Sequence, residues 1–235
     1  MTEPAEPGEP VEPGVGVPTH ALEDEVLAAT GASRLAALDE VGRGAAAGEL
    51  VVCAVVPGPR PAPEGLADSK LLSAAERARL ETVLLGWVEA HAFGAASAAE
   101  IDDLGMARCL TLAATRALAG LPQPPDHVLL DGPHDYVGHP WQVTARAKAD
   151  RDSIAVAAAS VLAKEHRDRR MRALAETWPG YGFEENVGYL SGAHDEALGR
   201  LGPTPEHRTS WRFMESHPQW EHARRGVVQL SLFGG

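Results

Sequence analysis

Two short apolar segments joined by a glycine-containing turn restrict the fold of this 235-residue chain more than any other feature. Residues 35–40 and 50–56 have the length and apolar composition of β-strands, and Gly42 and Gly44 lie between them. Two such segments around a glycine-containing turn are typical of an antiparallel hairpin. The sequence therefore predicts that the folded core begins with this hairpin.

The same turn carries residues suited to metal and phosphate chemistry. Asp39 and Glu40 are adjacent, and their carboxylate oxygens are the ligands that Mg²⁺ and Mn²⁺ prefer. Gly42 and Gly44 let the backbone approach a ligand closely because they have no Cβ. Arg43 offers a planar set of donors for phosphate. The turn indicates metal-dependent chemistry on a nucleic acid backbone, although an ordinary hairpin turn would also explain the glycines.

Strands and helices alternate along the rest of the chain. Asp131 ends a buried apolar strand, and Ser73 with Glu76 forms a capping box at the start of a helix. Further strands are predicted at residues 88–95, 128–131 and 143–147, and helices at residues 20–33, 73–87, 106–118, 153–175 and 193–201. This succession predicts an α/β domain with a small helical C-terminal appendage.

Cysteine content and hydropathy narrow the class of protein. Cys53 and Cys109 are too few for a disulfide framework, and we expect both to be buried in a protein of the reducing cytoplasm. No apolar run reaches membrane-spanning length, and the first residues lack the basic and apolar regions of a signal peptide. We expect a cytoplasmic protein without membrane contact, and a monomer.

The charge distribution is compatible with nucleic acid binding in spite of a net charge of −12. Residues 1–33 contain seven acids and no lysine or arginine, so more than half of the net charge precedes the predicted hairpin. The three lysines, Lys70, Lys148 and Lys164, all fall within short motifs, whereas eighteen arginines are spread along the chain. With so few lysines, chance would explain why all of them fall within motifs. We expect instead that their ammonium groups act as point charges directed at phosphate or carboxylate. Electrostatic steering should be modest and its salt dependence shallow.

Eight short motifs occur in one order along the chain. They are Asp-Glu-Val-Gly-Arg-Gly at 39–44, Asp-Ser-Lys at 68–70, Leu-Leu-Asp-Gly at 129–132, Lys-Ala-Asp at 148–150, Ala-Ala-Ser-Val-Leu-Ala-Lys at 158–164, Tyr-Gly-Phe at 181–183, Gly-Tyr at 188–189 and His-Arg-Thr-Ser-Trp at 207–211. In this order and spacing the chain resembles bacterial ribonuclease HII over about residues 34–213. The resemblance implies the ribonuclease H-like fold, a five-stranded mixed sheet flanked by helices.

The resemblance also implies a metal-dependent endoribonuclease. Such an enzyme hydrolyses RNA–DNA hybrids, and single ribonucleotides embedded in duplex DNA, on the 5′ side of the ribonucleotide. It leaves 3′-hydroxyl and 5′-phosphate ends and serves ribonucleotide removal in replication and repair. Two Mn²⁺ or Mg²⁺ ions would be held during catalysis by Asp39, Glu40, Asp131 and Asp150. For Asp150 alone, a solvated loop carboxylate is an equal alternative.

The adjacent acids raise a geometric question. Neighbouring residues of a strand point to opposite faces, so Asp39 and Glu40 would diverge in a regular strand. We therefore expect the first strand to end or bend at Glu40, which Gly42 would permit.

The substrate-binding residues follow from the same resemblance. They are Gly42, Arg43, Gly44, Lys70, Lys164, Tyr189, His207, Arg208 and Ser210. The glycine turn would read the ribose 2′-hydroxyl, the group that distinguishes RNA from DNA, and Tyr189 would pack on the neighbouring deoxyribose. Arg43 and the two lysines are expected to contact phosphate. The last three border the groove in the family, and structural hydrogen bonds explain them as well as substrate contact does.

Four segments are predicted along the chain. Residues 1–19 form a disordered leader rich in Glu and Pro, residues 20–175 the catalytic domain, residues 176–222 the appendage bordering the substrate groove, and residues 223–235 a flexible tail. The tail contains a pentapeptide that resembles the one by which bacterial proteins bind the replicative sliding clamp: Gln229, Leu230, Ser231, Leu232 and Phe233. A short extended peptide of this kind suits a groove, and the alternative is a tail that folds onto its own domain.

Four positions depart from the family pattern: Ala37, Glu49, Ala149 and Val187. None is a proposed metal ligand, but Glu49 near the groove is expected to weaken phosphate binding. One rival interpretation is ribonuclease HIII, which typically has an additional N-terminal domain that residues 1–33 are too short to form. Another is a clamp-tethered module that binds junctions without cutting, and the complete set of four acids argues against it.

Overall fold

The computed structural model describes residues 17–225, and its centre is a five-stranded sheet. The strands are β1 (Leu35–Val41), β2 (Leu50–Val56), β3 (Ala90–Ala96), β4 (His127–Asp131) and β5 (Gln142–Arg146). They lie in the order β3-β2-β1-β4-β5. β2 pairs antiparallel with β1 and β3, whereas β4 pairs in parallel with β1 and β5. The predicted hairpin and the predicted mixed sheet are therefore confirmed.

Helices cover both faces of this sheet. They are α1 (Ala21–Thr30), α2 (Ala74–Trp87), α3 (Ala98–Leu104), α4 (Met106–Ala119), α5 (Ala149–Asp152), α6 (Ile154–Thr177), α7 (Phe183–Asn186) and α8 (Gly192–Leu201), with short 3₁₀ helices at Ser69–Leu71, Arg212–Ser216 and Pro218–Ala223. The sequence prediction missed α3 and the two four-residue helices α5 and α7. A capping box formed by Ser97 and Glu100 starts α3, the same signal that marks α2.

Residues of β1 alternate between two apolar layers. Leu38 joins the cluster that contains α4, whereas Ala37 contacts residues of α6. On β2, Val52 and Cys53 divide in the same way. Because successive side chains of a strand point to opposite faces, the two adjacent acids that follow Leu38 must face different layers.

The C-terminal segment is helical, as predicted, and it packs on the far half of α6. Tyr181, Phe183 and Ala197 form an apolar cluster with Met171 of α6 and with Ala47, which lies between β1 and β2. Ala47 also forms an isolated β-bridge with His207. The appendage is thereby joined to the connection between β1 and β2.

The fold extends further at both ends than the sequence predicted. The Thr19 amide donates to the Asp152 carbonyl at 3.1 Å, so Thr19 belongs to the fold and not to a disordered leader. At the other end, the last 3₁₀ helix runs to Ala223, and Arg225 lies 3.4 Å from Asp103. The fold therefore includes three residues that were assigned to the tail, and the clamp-like pentapeptide at 229–233 lies outside the described residues.

One expectation from composition, the burial of the cysteines, is confirmed. Cys53 and Cys109 are both buried free thiols, as predicted. Among the helices of residues 17–225, none combines the length and the apolar character needed to cross a membrane.

Candidate active site

The four predicted acids gather at one edge of the sheet. Asp39 and Glu40 lie near the end of β1, and Asp131 is the last residue of the parallel neighbour β4. Asp150 lies in α5, shortly after β5. The carboxyl ends of parallel strands are where α/β sheets place functional groups, so the topology brings together residues that are far apart in sequence.

The expectation that β1 ends or bends at Glu40 is wrong. Its pairing with β2 continues in register through Val41, which lies opposite Val51. Asp39 consequently faces the α6 layer and Glu40 the α4 layer, on the two sides of the sheet edge. A groove lies on one side of Glu40 and a second cavity on the other, and Glu40 and Asp131 line both.

Asp39 is buried on the α6 side of the edge, near Ser160. One carboxylate oxygen accepts a hydrogen bond from the Glu40 amide at 2.8 Å. Burial, and next the charge of Glu40, raises the pKa of Asp39 to about 8. Ionisation of Asp39 at neutral pH therefore calls for a positive charge nearby.

Glu40 has a more polar environment on the α4 side. The Tyr136 hydroxyl donates to Oε2 at 3.2 Å, and a guanidinium nitrogen of Arg43 lies 3.6 Å from Oε1. Burial is the largest influence and raises the pKa of Glu40, while Arg43 opposes it. Asp39 and Glu40 thus lie side by side at the end of β1, but different residues contact their two carboxylates.

Asp131 and Asp150 are linked through α5. Asp131 accepts a hydrogen bond from the Ala149 amide at 2.7 Å, which fixes the start of this helix beside the strand end. Asp150 is 4% exposed, and Lys70 Nζ lies 3.4 Å from its carboxylate. Burial first, and then the charge of Asp131, raises the pKa of Asp150. A solvated loop carboxylate does not describe this residue.

The donor chemistry of the edge fits a divalent cation. All four side chains offer carboxylate oxygens, and the charges of neighbouring acids contribute to raising the pKa of Asp39, Glu40 and Asp150. A cation would relieve this repulsion. Within residues 17–225, however, no three His, Cys, Asp or Glu side chains are already arranged to hold a metal ion. The carboxylates instead make local hydrogen bonds, and metal binding would require them to turn.

A groove of about 330 Å³ opens beside the acids. Its lining includes Asp39, Glu40, Gly42, Arg43, Gly44, Lys70, Asp131, Lys164 and Tyr189. Most of the residues proposed from the sequence for the metal site and for substrate binding are therefore brought together on one surface. Asp150, His207, Arg208 and Ser210 are absent from the lining that the described residues form.

The lysines of the groove are held by carboxylates. Lys70 lies 3.7 Å from Asp68 as well as 3.4 Å from Asp150, and its side chain is 74% exposed. Lys164 donates to Asp168, one turn further along α6, at 2.7 Å. Each ammonium group is thus positioned by an acid while it faces open space, which suits contact with a phosphate.

Tyr189 also lines the groove. It is 40% exposed, and its ring lies over the Arg167 guanidinium at 5.7 Å. The preceding Gly188 accepts hydrogen bonds from the amides of Ala46 and Ala47 through its carbonyl oxygen. A Cβ on Gly188 would lie 2.3 Å from the Ala47 carbonyl, so only glycine permits this close approach.

The motif at 207–211 supports the groove from inside the molecule. Arg208 is fully buried, and all of its side-chain hydrogen bonds go to backbone carbonyls of the β1–β2 connection. His207 is 2% exposed and contacts Thr204. Ser210 donates to Asp102 at 2.7 Å. These contacts favour structural hydrogen bonding, one of the two roles that the sequence left open for these three residues.

Sequence analysis missed several residues of the site. Tyr136, Ser160 and Arg167 were not singled out, although Ser160 lies four residues before Lys164 and so on the same helix face. Glu49 was singled out, but it forms an ion pair with Arg170 of α6 and does not line the groove. Its expected effect on phosphate binding is accordingly reduced.

The chain is similar to known proteins along most of its length. A sequence model of the family described as Ribonuclease HII matches residues 36–214. A ribonuclease HII from Streptomyces griseus is 53% identical over 211 residues, which cover 88% of this chain and 89% of that protein.

Solved structures show the same fold at lower identity. The ribonuclease H2 of Pyrococcus horikoshii has a TM-score of 0.64 at 24% identity, covering 79% of this chain and 97% of that one. A PCNA:RNase HII complex from Archaeoglobus fulgidus gives a TM-score of 0.60 at 24% identity, with 76% and 95% covered. The five-stranded mixed sheet with its flanking helices is thus shared with these ribonucleases.

Proposed function

This chain belongs to the ribonuclease HII family and is a ribonuclease H type 2 endoribonuclease, and from this we propose that it cleaves on the 5′ side of ribonucleotides in RNA–DNA hybrids and of single ribonucleotides in duplex DNA. One observation supports the specific proposal most strongly. Three of the four acids, the exposed turn of Arg43 and Gly44, and Tyr189 line a single groove. Hydrolytic and ribose-reading groups are therefore adjacent.

The acids of the sheet edge would hold the metal ions. Asp39, Glu40, Asp131 and Asp150 would bind two Mn²⁺ or Mg²⁺ ions, which, when bound, activate the attacking water and stabilise the leaving 3′-oxygen. The protein supplies the carboxylate charges and holds these four side chains in place. The products would carry 3′-hydroxyl and 5′-phosphate ends, and no side chain needs to form a covalent intermediate.

Substrate positioning falls to the exposed cations, the turn and the tyrosine. Arg43, Lys70 and Lys164 would contact phosphates on either side of the ribonucleotide. The backbone of the glycine turn would meet the 2′-hydroxyl. Tyr189 would pack on the deoxyribose next to it, so that a junction between RNA and DNA is recognised at one place.

Replacement of Asp39 tests the proposed metal site by separating cleavage from binding of the duplex. We expect Asp39→Asn to abolish cleavage of a single-ribonucleotide duplex while its affinity for that duplex in EDTA stays within about threefold of wild type, since the phosphate contacts are unchanged. Asp103→Asn, at an exposed acid on α3, is the matched control and should cleave normally. Equal cleavage by wild type and Asp39→Asn would exclude the proposed metal site.

We also propose a sliding-clamp contact through the pentapeptide at 229–233. Its sequence supports the proposal, and the Archaeoglobus fulgidus ribonuclease HII was solved in complex with PCNA. A clamp pull-down with Phe233→Ala as the variant tests it, and unchanged capture would contradict it. We propose that the protein is a monomer, which sedimentation of the purified protein checks. We propose that it is cytoplasmic, which fractionation of cells checks.

A further inference from the structure

Two buried arginines lie behind the groove without a carboxylate partner. Arg167 of α6 and Arg208 of the C-terminal segment are each fully buried. Among the ion pairs of residues 17–225, none within 4.0 Å involves either guanidinium. Burial and the charge of Arg167 lower the pKa of Arg208 to about 9, which still leaves it charged at neutral pH. Two like charges are therefore placed in the interior at a cost that must be offset by other contacts.

Backbone carbonyls provide those contacts. Arg167 donates to the carbonyls of Glu49, Ala47 and Val187 at 2.8, 3.0 and 2.7 Å. Arg208 donates to the carbonyls of Gly42, Arg43 and Gly48, with distances between 2.6 and 3.3 Å. The acceptors belong to the β1–β2 connection and to the segment before Tyr189, the two parts of the chain that form one side of the groove.

The direction of these carbonyls sets the direction of the neighbouring amides. In a planar trans peptide the C=O and the following N–H point opposite ways. The carbonyls of Gly42 and Arg43 point inward to Arg208, so the amides of Arg43 and Gly44 point outward. Both residues are exposed, and no hydrogen bond formed within residues 17–225 uses either amide. Two backbone donors thus face the groove.

The surrounding chain is shaped to admit the guanidinium groups. A Cβ on Gly42 would lie 2.2 Å from Arg167 Nε. Val187 adopts the left-handed conformation, with φ at 44°, which a β-branched residue rarely does. Its carbonyl is one of those that Arg167 holds. Local backbone strain of this kind persists where the surrounding contacts enforce it.

We infer that Arg167 and Arg208 are positioning residues, which hold the carbonyls of both groove segments inward so that the amides of Arg43 and Gly44 and the ring of Tyr189 face the ribonucleotide. This inference rests on the proposed function, because it concerns how that function distinguishes ribose from deoxyribose. Arg167 also contacts the Tyr189 ring directly, because its guanidinium lies over the face of that ring.

Lysine replacements test the inference. Arg208→Lys and Arg167→Lys keep the charge but lose the planar fork that joins several carbonyls. We expect kcat/KM on a single-ribonucleotide duplex to fall roughly tenfold to a hundredfold, while affinity for the all-DNA duplex in EDTA changes by less than about threefold. Arg169→Lys, at an exposed arginine of α6 paired with Glu81, is the matched control and should behave as wild type. A folded Arg208→Lys enzyme with unchanged kcat/KM would overturn the inference.

Amide hydrogen exchange in the wild-type chain gives a second test that needs no substitution. In EDTA, the amides of Arg43 and Gly44 should exchange rapidly in the free protein, slow down with the single-ribonucleotide duplex, and stay fast with the all-DNA duplex. Equal slowing by both duplexes, or by neither, would overturn their assigned orientation toward ribose. If wild type does not cleave the ribonucleotide duplex at all, the proposed function fails instead, and the two failures are thereby distinguished.

Discussion

At the scale of single residues, the site consists of carboxylates that are unfavourable without a cation. Asp39 is buried, and Glu40 and Asp131 both raise its pKa. Removing solvent from several like charges destabilises the metal-free fold. The carboxylates of the site therefore lower the free energy of unfolding of the metal-free protein.

Asp39→Asn should stabilise the metal-free protein. The amide has nearly the same shape and removes one buried acid, so the free energy of unfolding in EDTA should rise by about 2 kcal/mol, which corresponds to a Tm increase of roughly 4–8 °C. Mn²⁺ at about 100 times its Kd should stabilise wild type by about 2.7 kcal/mol and Asp39→Asn by much less. Thermal melts with and without Mn²⁺ measure both effects, and equal Mn²⁺ shifts for the two proteins would argue against Asp39 as a ligand.

Prediction at the level of residues depended on chemistry that lies in a contiguous pattern. Asp39, Glu40 and the glycine turn are adjacent in sequence, so their residue types were sufficient to suggest the site. Arg167 was missed because its partners are carbonyls, which every residue has, and two of them lie 118 and 120 positions away. A basic run on α6 gives no indication that one of its members points inward.

At the scale of elements, a histidine pair joins α8 to the segment that carries Arg208. The Thr204 amide donates to His207 Nδ1 at 3.0 Å, and the two Nε2 atoms of His207 and His194 lie 3.1 Å apart. His194 Nδ1 in turn lies 2.9 Å from the Tyr189 carbonyl. His207 therefore donates from Nε2 to His194, which donates to Tyr189, and this chain of hydrogen bonds requires both rings to be neutral.

Acid should weaken this junction. Burial, and next the charge of His194, lowers the pKa of His207 to about 3. Between that value and the unfolded pKa of about 6.5 the unfolded chain holds a proton that the folded chain lacks, so stability is lost as pH falls through this window. The loss from this group should approach about 1.4 kcal/mol per pH unit.

Urea unfolding between pH 7.5 and pH 5 measures that slope. Gln in place of His207 keeps one donor and one acceptor but does not titrate, so His207→Gln should lose less stability on acidification than wild type. His222→Gln, at a histidine of the last 3₁₀ helix, is the control. Parallel pH profiles for His207→Gln and wild type would contradict the assignment.

The strands were predictable because each is a short apolar run bounded by turn residues, whereas α3 and the regular end of β1 were not anticipated. α3 has only seven residues and too little periodicity to stand out, although its capping box was visible. The bend expected at Glu40 assumed that both carboxylates must share one face. The assumption was unnecessary, because at the carboxyl end of the sheet a regular strand can present one acid on each face.

At the scale of the whole molecule, an acidic protein presents a small set of positive groups to its substrate. Arg43, Lys70 and Lys164 line the groove, together with Arg77, whose guanidinium is held by Glu165 at 2.8 Å. Many other arginines form ion pairs with acids away from the groove. Binding of duplex DNA should therefore depend only weakly on salt. With about three phosphate contacts, log K should fall with log salt at a slope of about −3.

Fluorescence anisotropy with an all-DNA duplex in EDTA, over a series of KCl concentrations, gives that slope. Lys70→Gln should make it shallower by about one, while Arg169→Gln, on the exposed part of α6, should leave it unchanged. A wild-type slope of about −6 or steeper would mean that a second basic surface contacts DNA.

We propose that one groove both recognises a ribonucleotide and cleaves beside it. The most direct measurement uses an end-labelled DNA duplex with one internal ribonucleotide, incubated with the protein and Mn²⁺ or Mg²⁺, beside an all-DNA duplex and an EDTA sample. We expect a single cut on the 5′ side of the ribonucleotide, with a 3′-hydroxyl end, no cut in the all-DNA duplex and none in EDTA. A cut elsewhere, or folded protein that binds the duplex and leaves it intact with either metal, would contradict the claim.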